Sequence, residues 1–208
     1  MSTIIRKAEW KDAPAFVRIK DQLPLTLTSG GSTKGGFLLG TDLKTYRNYI
    51  QNAYCLVATT GKNVVGFGIL LPDRLLRESE VWKKRHWATW YVDLPVYEKQ
   101  NLCYFEQLAF LPGHRKTVLK LSYNLMKWAF EEGHETLFTT TVNKPVLNLA
   151  AIPFIKAAGG IHAGNIDEVY PRIGAINSDI YLMASGMFFQ KTEAHPLYPL
   201  FKEYPRLY

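Results

Sequence analysis

Glu106 is the side chain of greatest chemical interest in this sequence. It lies in Leu102–Leu111, a strongly apolar run that reads as a strand, with the side-chain parity of Tyr104, Leu108 and Phe110. A carboxyl group among apolar neighbours has its pKa raised by desolvation. Such a group suits a general base that takes a proton from an ammonium, directly or through a water. The alternative is a solvated or ion-paired glutamate at a strand end. His114 stands either at a helix start or as a proton relay, and Asn148 reads as a polar group ahead of a helix, where a plain N-cap also fits.

Two further stretches invite chemical readings. Ser29–Gly36 holds four glycines within seven residues, so a mobile loop is expected there. Its order excludes a nucleotide P-loop, which needs Gly-Lys followed by Ser or Thr between a strand and a helix, whereas here Ser32-Thr33-Lys34 precedes two of the glycines. Trp82, Trp87, Trp90 and Tyr91 cluster within one segment. They form either an aromatic wall that receives a cationic amine or packing that holds the segment to a core.

The elements that must position these groups follow from periodicity. A strand over Ser2–Arg6 precedes a helix with Asp12 at its N-cap, and a second helix spans Leu43–Asn52. Tyr54–Thr60 and Lys62–Leu71 read as a hairpin turning at Gly61. Arg74–Gln100 is insertion-like, with a charged helical segment at Leu75–His86. The strand Leu102–Leu111 leads into the clearest helix, His114–Glu132, with Val118, Leu121, Leu125 and Ala129 on one stripe and Gly133 as its stop. Glu135–Val142 is a strand, Pro145–Ala158 a helix interrupted at Pro153, and Ile161–Ala163 and Asp179–Phe188 closing strands. This order predicts an α/β (α+β) fold: a mixed, mostly antiparallel central sheet flanked by helices, with one βαβ unit in its middle.

Composition bounds the function classes. The 208 residues, 47% hydrophobic and 21% charged, fit one core with an elaboration and exclude disordered, collagenous and low-complexity chains. The net charge of +7 favours anionic partners such as nucleic acid, an acidic surface or a phosphorylated cofactor. Its densest cluster, Lys83-Lys84-Arg85-His86, carries no zinc-finger or RNA-recognition signature. Cys55 and Cys103 lie inside apolar runs and lack metal-ligand spacing, so a reduced, cytoplasmic protein is expected. The longest uncharged apolar run outside the N-terminal segment, Val64–Pro72, is about half the length of a membrane span.

Three stretches together resemble the GNAT superfamily of acyl-CoA-dependent N-acyltransferases. Ile4-Ile-Arg-Lys-Ala-Glu-Trp-Lys-Asp12-Ala looks like the family's opening strand and first helix. Leu108-Ala-Phe-Leu-Pro112-Gly-His-Arg115 with the long helix after it looks like the central strand and pyrophosphate turn. Asn148-Leu-Ala-Ala151-Ile-Pro-Phe-Ile-Lys-Ala-Ala-Gly159-Gly160 looks like the following Asn, Ala and Gly pattern.

The resemblance implies one domain over residues 1–208, with an insertion at about 74–100 and a C-terminal tail from about 189. It implies acetyl-CoA as cofactor and transfer of an acetyl or short acyl group to the amine of a small-molecule or peptide acceptor, by a monomer or homodimer. Leu108, Ala109, Phe110 and Leu111 would offer backbone groups to the pantetheine arm. Arg115, Lys116, Thr117, Val118, Leu119 and Lys120 would form the pyrophosphate turn, with Asn148 on the cofactor side and Glu106 as base. Ser29–Gly36 would border the acceptor site. The central strands should splay, with Leu108–Leu111 on one wall of the cleft and Thr139–Val142 on the other. Two positions depart from the family pattern: Val118 and Lys120 stand where small residues let a backbone approach phosphates, and Ile155 stands where many members place the tyrosine that protonates the departing thiolate. The rival expectation is a non-catalytic GNAT-like module whose basic surface engages nucleic acid or a protein.

Overall fold

A computed structural model describes residues 3–23, 31–32, 40–170 and 174–202. The described residues form strands β1 Thr3–Lys7, β2 Gly31–Ser32, β3 Tyr54–Thr60, β4 Asn63–Pro72, β5 Thr89–Trp90, β6 Leu102–Phe110, β7 Thr136–Lys144, β8 Leu147–Asn148, β9 Ile161–Tyr170 and β10 Gly174–Ala184. The helices are α1 Ala13–Asp21, α2 Leu43–Asn52, α3 Asp73–Glu78, α4 Glu80–Lys83, α5 Leu94–Glu98, α6 Arg115–Glu131, α7 Ile152–Ala157, α8 Ser185–Glu193 and α9 Tyr198–Phe201.

Eight strands make one sheet in the order β1-β3-β4-β6-β7-β10-β9-β5. Every neighbouring pair in it is antiparallel except β6 and β7, which are parallel and joined through α6, as a βαβ crossover requires. The mostly antiparallel sheet predicted from the element order is therefore present. The β3–β4 hairpin turns at Gly61, whose φ of +60° suits glycine. β4 is buried on both faces because helices cover each side of the sheet.

One face packs α1, α2 and the segment between β4 and β6 against Phe16, Tyr46, Phe67, Leu102 and Tyr104. The other packs α6, α8 and α9 against Leu56, Leu70, Cys103 and Leu137. Cys55 and Cys103 are both buried thiols that lie in opposite layers. The long helix is α6, ended by Gly133 at φ +91°.

Several expectations are corrected. Asp12 does not cap α1 with its side chain; the carboxylate is taken by Arg6 at 2.7 and 2.9 Å and by the Glu9 N–H, so it ties the first strand to the first helix. The Leu75–His86 helix is broken into α3, α4 and a 3₁₀ turn at Lys84–Trp87. Ser79 is extended there, ends α3 and caps α4 by accepting from the Trp82 N–H. Pro145–Ala158 is helical only over α7, and Pro153 sits in its first turn, where a missing N–H costs nothing. The closing strands are β9 and β10, longer than expected at Ile161–Ala163 and shifted from Asp179–Phe188, and Ser185–Phe188 is helical. Beyond Ala163 β9 was illegible because Asn165 and Asp167 are poor strand formers. Their polar groups pair across to Asn177 instead. Of the Ser29–Gly36 loop, Gly31 and Ser32 are described, and they form a short parallel pair with Leu147 and Asn148 rather than irregular chain; the rest lies outside the described residues.

Candidate active site

β6 and β7 are paired only from Leu102↔Thr136 to Phe105↔Thr139, although β6 runs to Phe110 and β7 to Lys144. The sheet is therefore open between Glu106–Phe110 and Thr140–Lys144. This is the splay expected between Leu108–Leu111 and Thr139–Val142, with Thr139 itself still paired. An abandoned ladder leaves backbone groups without partners. Thr139 Oγ1 answers the first of these by donating to the Phe105 carbonyl at 3.0 Å. On the β6 side the Leu111 N–H bonds to Val65 on β4. Alternation along an extended strand then turns the peptide groups of Phe110 and Leu108 into the gap. On the β7 side the Thr141 hydroxyl is buried without a hydrogen-bond partner.

Glu106 is the first β6 residue of the opened stretch, and it is a bulge. Opposite β4, Ile69 pairs with Gln107 and Leu70 with Phe105, leaving Glu106 as the extra residue. The bulge corrects the expected parity. Tyr104, Glu106 and Gln107 line one cavity on the α2 face, whereas Leu108 and Phe110 pack in the opposite layer with α6. Gln107 is fixed by accepting from Tyr46 at 2.9 Å and donating to Thr41 at 2.7 Å. The Tyr49 hydroxyl donates to Glu106 at 3.4 Å. Burial pushes the Glu106 carboxyl up to about 7, against the opposing pull of hydrogen bonds from Tyr49 and Gln107. Glu106 has no ion-pair partner among the described residues.

The cavity has a volume of ≈ 630 Å³, within the range of small-molecule sites. Its floor comes from β6, β7, β9 and β10 and its side from α2. Its roof is the segment between β4 and β6. That segment leaves the end of β4, places β5 against β9 through Thr89↔Asn165 and Trp90↔Gly164, and returns to β6. Lys84 pairs with Glu168 at 2.7 Å, and Asp73 accepts from the Leu102 N–H at 2.9 Å. The four clustered aromatics divide. Trp82 is buried with Arg77 and Arg85 over its ring, and Trp90 donates to the Arg85 carbonyl and meets Phe138 edge-on. Trp87 and Tyr91 are exposed and do not line this cavity.

The remaining sequence candidates fall at the open end of the gap or beside it. α6 begins at Arg115 directly after β6, so the free N–H groups of its first turn lie where the gap opens. Arg115 and Lys116 are exposed, and Thr117, Val118, Leu119 and Lys120 are partly buried. His114 precedes the helix without a side-chain cap. Ala109 is buried in the α1 and α2 layer, away from the gap. Asn148 is not a helix N-cap: its Oδ1 accepts from Ala150 and Ala151 ahead of α7, and it reaches the cavity wall. Ile155 is buried. Tyr49, Gln107 and the Lys84–Glu168 tie were not singled out from the sequence. The adjacent polar pair Glu106-Gln107 inside an apolar strand was the available signal, since strict alternation cannot place both on one face.

Among the described residues no helix is long and apolar enough to cross a membrane, and no cluster of metal-binding side chains is present. No family model matches the chain, and no curated protein matches it. Solved structures do. The chain is similar to the ribosomal-protein-S18-alanine N-acetyltransferase of Escherichia coli at TM-score 0.59 and 16% identity, over 88% of this chain and 94% of that one. A Salmonella typhimurium structure that holds acetyl-CoA as its cofactor aligns at TM-score 0.59 and 14% identity, over 89% and 95%. The GNAT-family acetyltransferase of Streptococcus pneumoniae aligns at TM-score 0.57 and 14% identity, over 88% and 99%. With its strand order, its opened β6–β7 pair and these likenesses, the chain has the GNAT fold.

Proposed function

We propose that the chain, working as one domain with residues 74–100 inserted, is an N-acyltransferase that moves an acetyl or short acyl group from CoA to an amine. The observation that carries this reading is the break in β6–β7 pairing with a carboxyl group raised to about 7 at its first residue. The residues of the opened stretch suit the cofactor. The Leu108 and Phe110 peptide groups and the orphaned Thr141 hydroxyl can take the amides of a pantetheine arm. Arg115, Lys116 and the first-turn N–H groups of α6 can take its phosphates. Val118 and Lys120 in place of small residues keep that approach from being close. Acetyl-CoA supplies an activated carbonyl with a thiol leaving group.

The chain's contribution is then placement and proton transfer. Glu106, ionised above about pH 7, accepts a proton from the bound ammonium, directly or through a water. The neutral amine is held at the mouth of the gap, where its attack becomes effectively unimolecular. With isoleucine at 155, the departing thiolate takes its proton from solvent or from another donor.

Isothermal titration with acetyl-CoA, followed by thiol release on adding an amine, tests the reading. Micromolar or weaker binding with amine-dependent release is expected. Absence of both overturns it.

A further inference from the structure

α2 meets the bulge of β6 with two tyrosines. Tyr46 and Tyr49 are three residues apart, so their side chains lie side by side on one face of the helix. Adjacent residues of a regular strand point to opposite faces, but the bulge turns Glu106 and Gln107 to the same one. The two pairs match: the Tyr46 hydroxyl donates to Gln107 at 2.9 Å and the Tyr49 hydroxyl to Glu106 at 3.4 Å. The first contact is anchored. Tyr46 is buried with its ring edge-on to Phe16 and Phe67, and Gln107 donates onward to Thr41 at 2.7 Å. With Tyr46 held, the next turn of α2 brings Tyr49 to Glu106.

The charges of the cavity leave the state of Glu106 to this contact. The other charged groups that line it are paired: Glu78 with Arg74, Glu80 with Lys83, Lys84 with Glu168 and Arg85 with Glu98. Glu106 has no such partner among the described residues. Phenols face it as well, Tyr46 and Tyr49 from α2, Tyr104 from β6 and Tyr170 from β9. Of these, Tyr46 is turned to Gln107, and Tyr104 to Thr140 at 2.7 Å. A hydroxyl that donates to a carboxylate favours its ionised form. At 3.4 Å the Tyr49 bond is long for a hydroxyl donor, so it has room to shorten as charge develops on Glu106.

We propose that Tyr49 is a positioning residue for Glu106: from α2 it aims the carboxylate into the cavity and favours its ionised form, so that the base works at a lower pH than burial alone would allow. This deepens the acyl-transfer reading and rests on it for the reaction. The hold of Tyr49 on the acid itself rests on the contact between α2 and the bulge, whatever the reaction is.

Two readouts separate these claims. NMR of the chain labelled at its glutamate carboxyl carbons, with the Glu106 signal assigned by its loss in Glu106→Gln, follows ionisation with no substrate present. Tyr49→Phe keeps the ring and removes the hydroxyl. It should move the Glu106 midpoint up by about 1 pH unit, the scale set by one hydrogen bond to a charged group. Site-specific 3-fluorotyrosine in place of Tyr49, a stronger donor of nearly the same shape, should move the midpoint down, which keeps the test available if the phenylalanine variant folds poorly. In thiol release from acetyl-CoA with butylamine as probe acceptor, the acidic limb of kcat/KM should move with the midpoint. Turnover that Tyr49→Phe loses near pH 7 should then return at higher pH, whereas a variant damaged only in packing stays slow throughout. A midpoint that neither variant moves overturns the proposal. A moved midpoint with an unmoved limb overturns the catalytic half of it. A moved midpoint with no thiol release in either protein supports the hold of Tyr49 on Glu106 and counts against acyl transfer.

Discussion

Thr139 Oγ1 donates to the Phe105 carbonyl at 3.0 Å, and these two residues are the last paired positions of β6 and β7. The hydroxyl stands where the next ladder bond would have been. One residue further along β6, the bulge at Glu106 turns a carboxyl group towards the α2 face. The opening of the sheet and the placement of the acid thus arise at one point in the strand.

Thr139→Val removes this donor while keeping the shape of the side chain. The Phe105 carbonyl then loses its partner in a half-buried position, at a cost of about 1–2 kcal/mol. Urea unfolding should show a lower midpoint with an unchanged slope. An unchanged midpoint would mean that the hydroxyl does not hold the edge of the gap.

The catalytic expectation for Glu106 has a pH signature. A base must be ionised to act, so kcat/KM should rise with pH through about 7. Glu106→Gln should lose that acidic limb and lower turnover by about 10²-fold or more, with CoA affinity retained. Full turnover in the variant across pH would make Glu106 structural.

How far the site could be read beforehand differs element by element. The β3–β4 hairpin, α2 and the end of α6 were legible because local signals decide them: apolar periodicity, Gly61 at the turn and Gly133 at the stop. Glu106 was legible as a carboxylate in an apolar strand, but the bulge that aims it was not. A bulge adds one residue without changing propensity, and its position is set by pairing with β4. The segment between β4 and β6 was legible as charged helical and aromatic chain, and its seat on β9 was not, because two residues of pairing and one ion pair between Lys84 and Glu168 leave no periodic trace. The gap itself was foreseen only through the resemblance.

The anion end of the gap gives a separate expectation. Arg115 is exposed in the first turn of α6, so its contact with a phosphate would be partly solvated and screened. Arg115→Ala should weaken acetyl-CoA binding several-fold at low salt, and less at high salt, as read by titration at two ionic strengths. Nanomolar binding indifferent to the change would place the phosphates elsewhere.

Gly66 tests the β6 wall from behind. A Cβ built there runs into the Phe110 ring, so Gly66→Ala must push the ring and the strand that carries it. Overpacking of this kind costs about 1–3 kcal/mol. A loss of stability accompanied by weaker acetyl-CoA binding is expected, measured by unfolding and titration together. Stability at or above that of the parent would show that the ring yields freely.

His134 sets a pH dependence of stability. It is buried, its Nε2 lies 3.1 Å from the Tyr54 hydroxyl, and burial lowers its pKa from the ordinary 6.5. The unfolded chain therefore binds a proton at a pH where the folded protein does not. Stability linked to this residue is present above pH 6.5 and is lost as pH falls below it. His134→Gln should flatten the fall in unfolding midpoint between about pH 7 and 5. An unchanged slope would show that other groups carry it.

Glu106 pulls in the opposite direction. Its folded-state pKa is raised from 4.5 to about 7, so the folded protein binds the proton more tightly than the unfolded chain. This acid therefore destabilises the fold progressively as pH rises from 4.5 to about 7, and the full penalty persists above that. A glutamine of the same shape carries no charge and no penalty. Glu106→Gln should then be more stable than the parent at pH 8, with the difference shrinking towards zero near pH 4.5. The variant would gain stability under the conditions where it loses turnover, the pattern of a charge kept in an apolar site for its chemistry. Thermal unfolding of the two proteins across pH measures it. A variant less stable than the parent at pH 8 would mean that the carboxylate is satisfied where it sits and has no need of an ammonium.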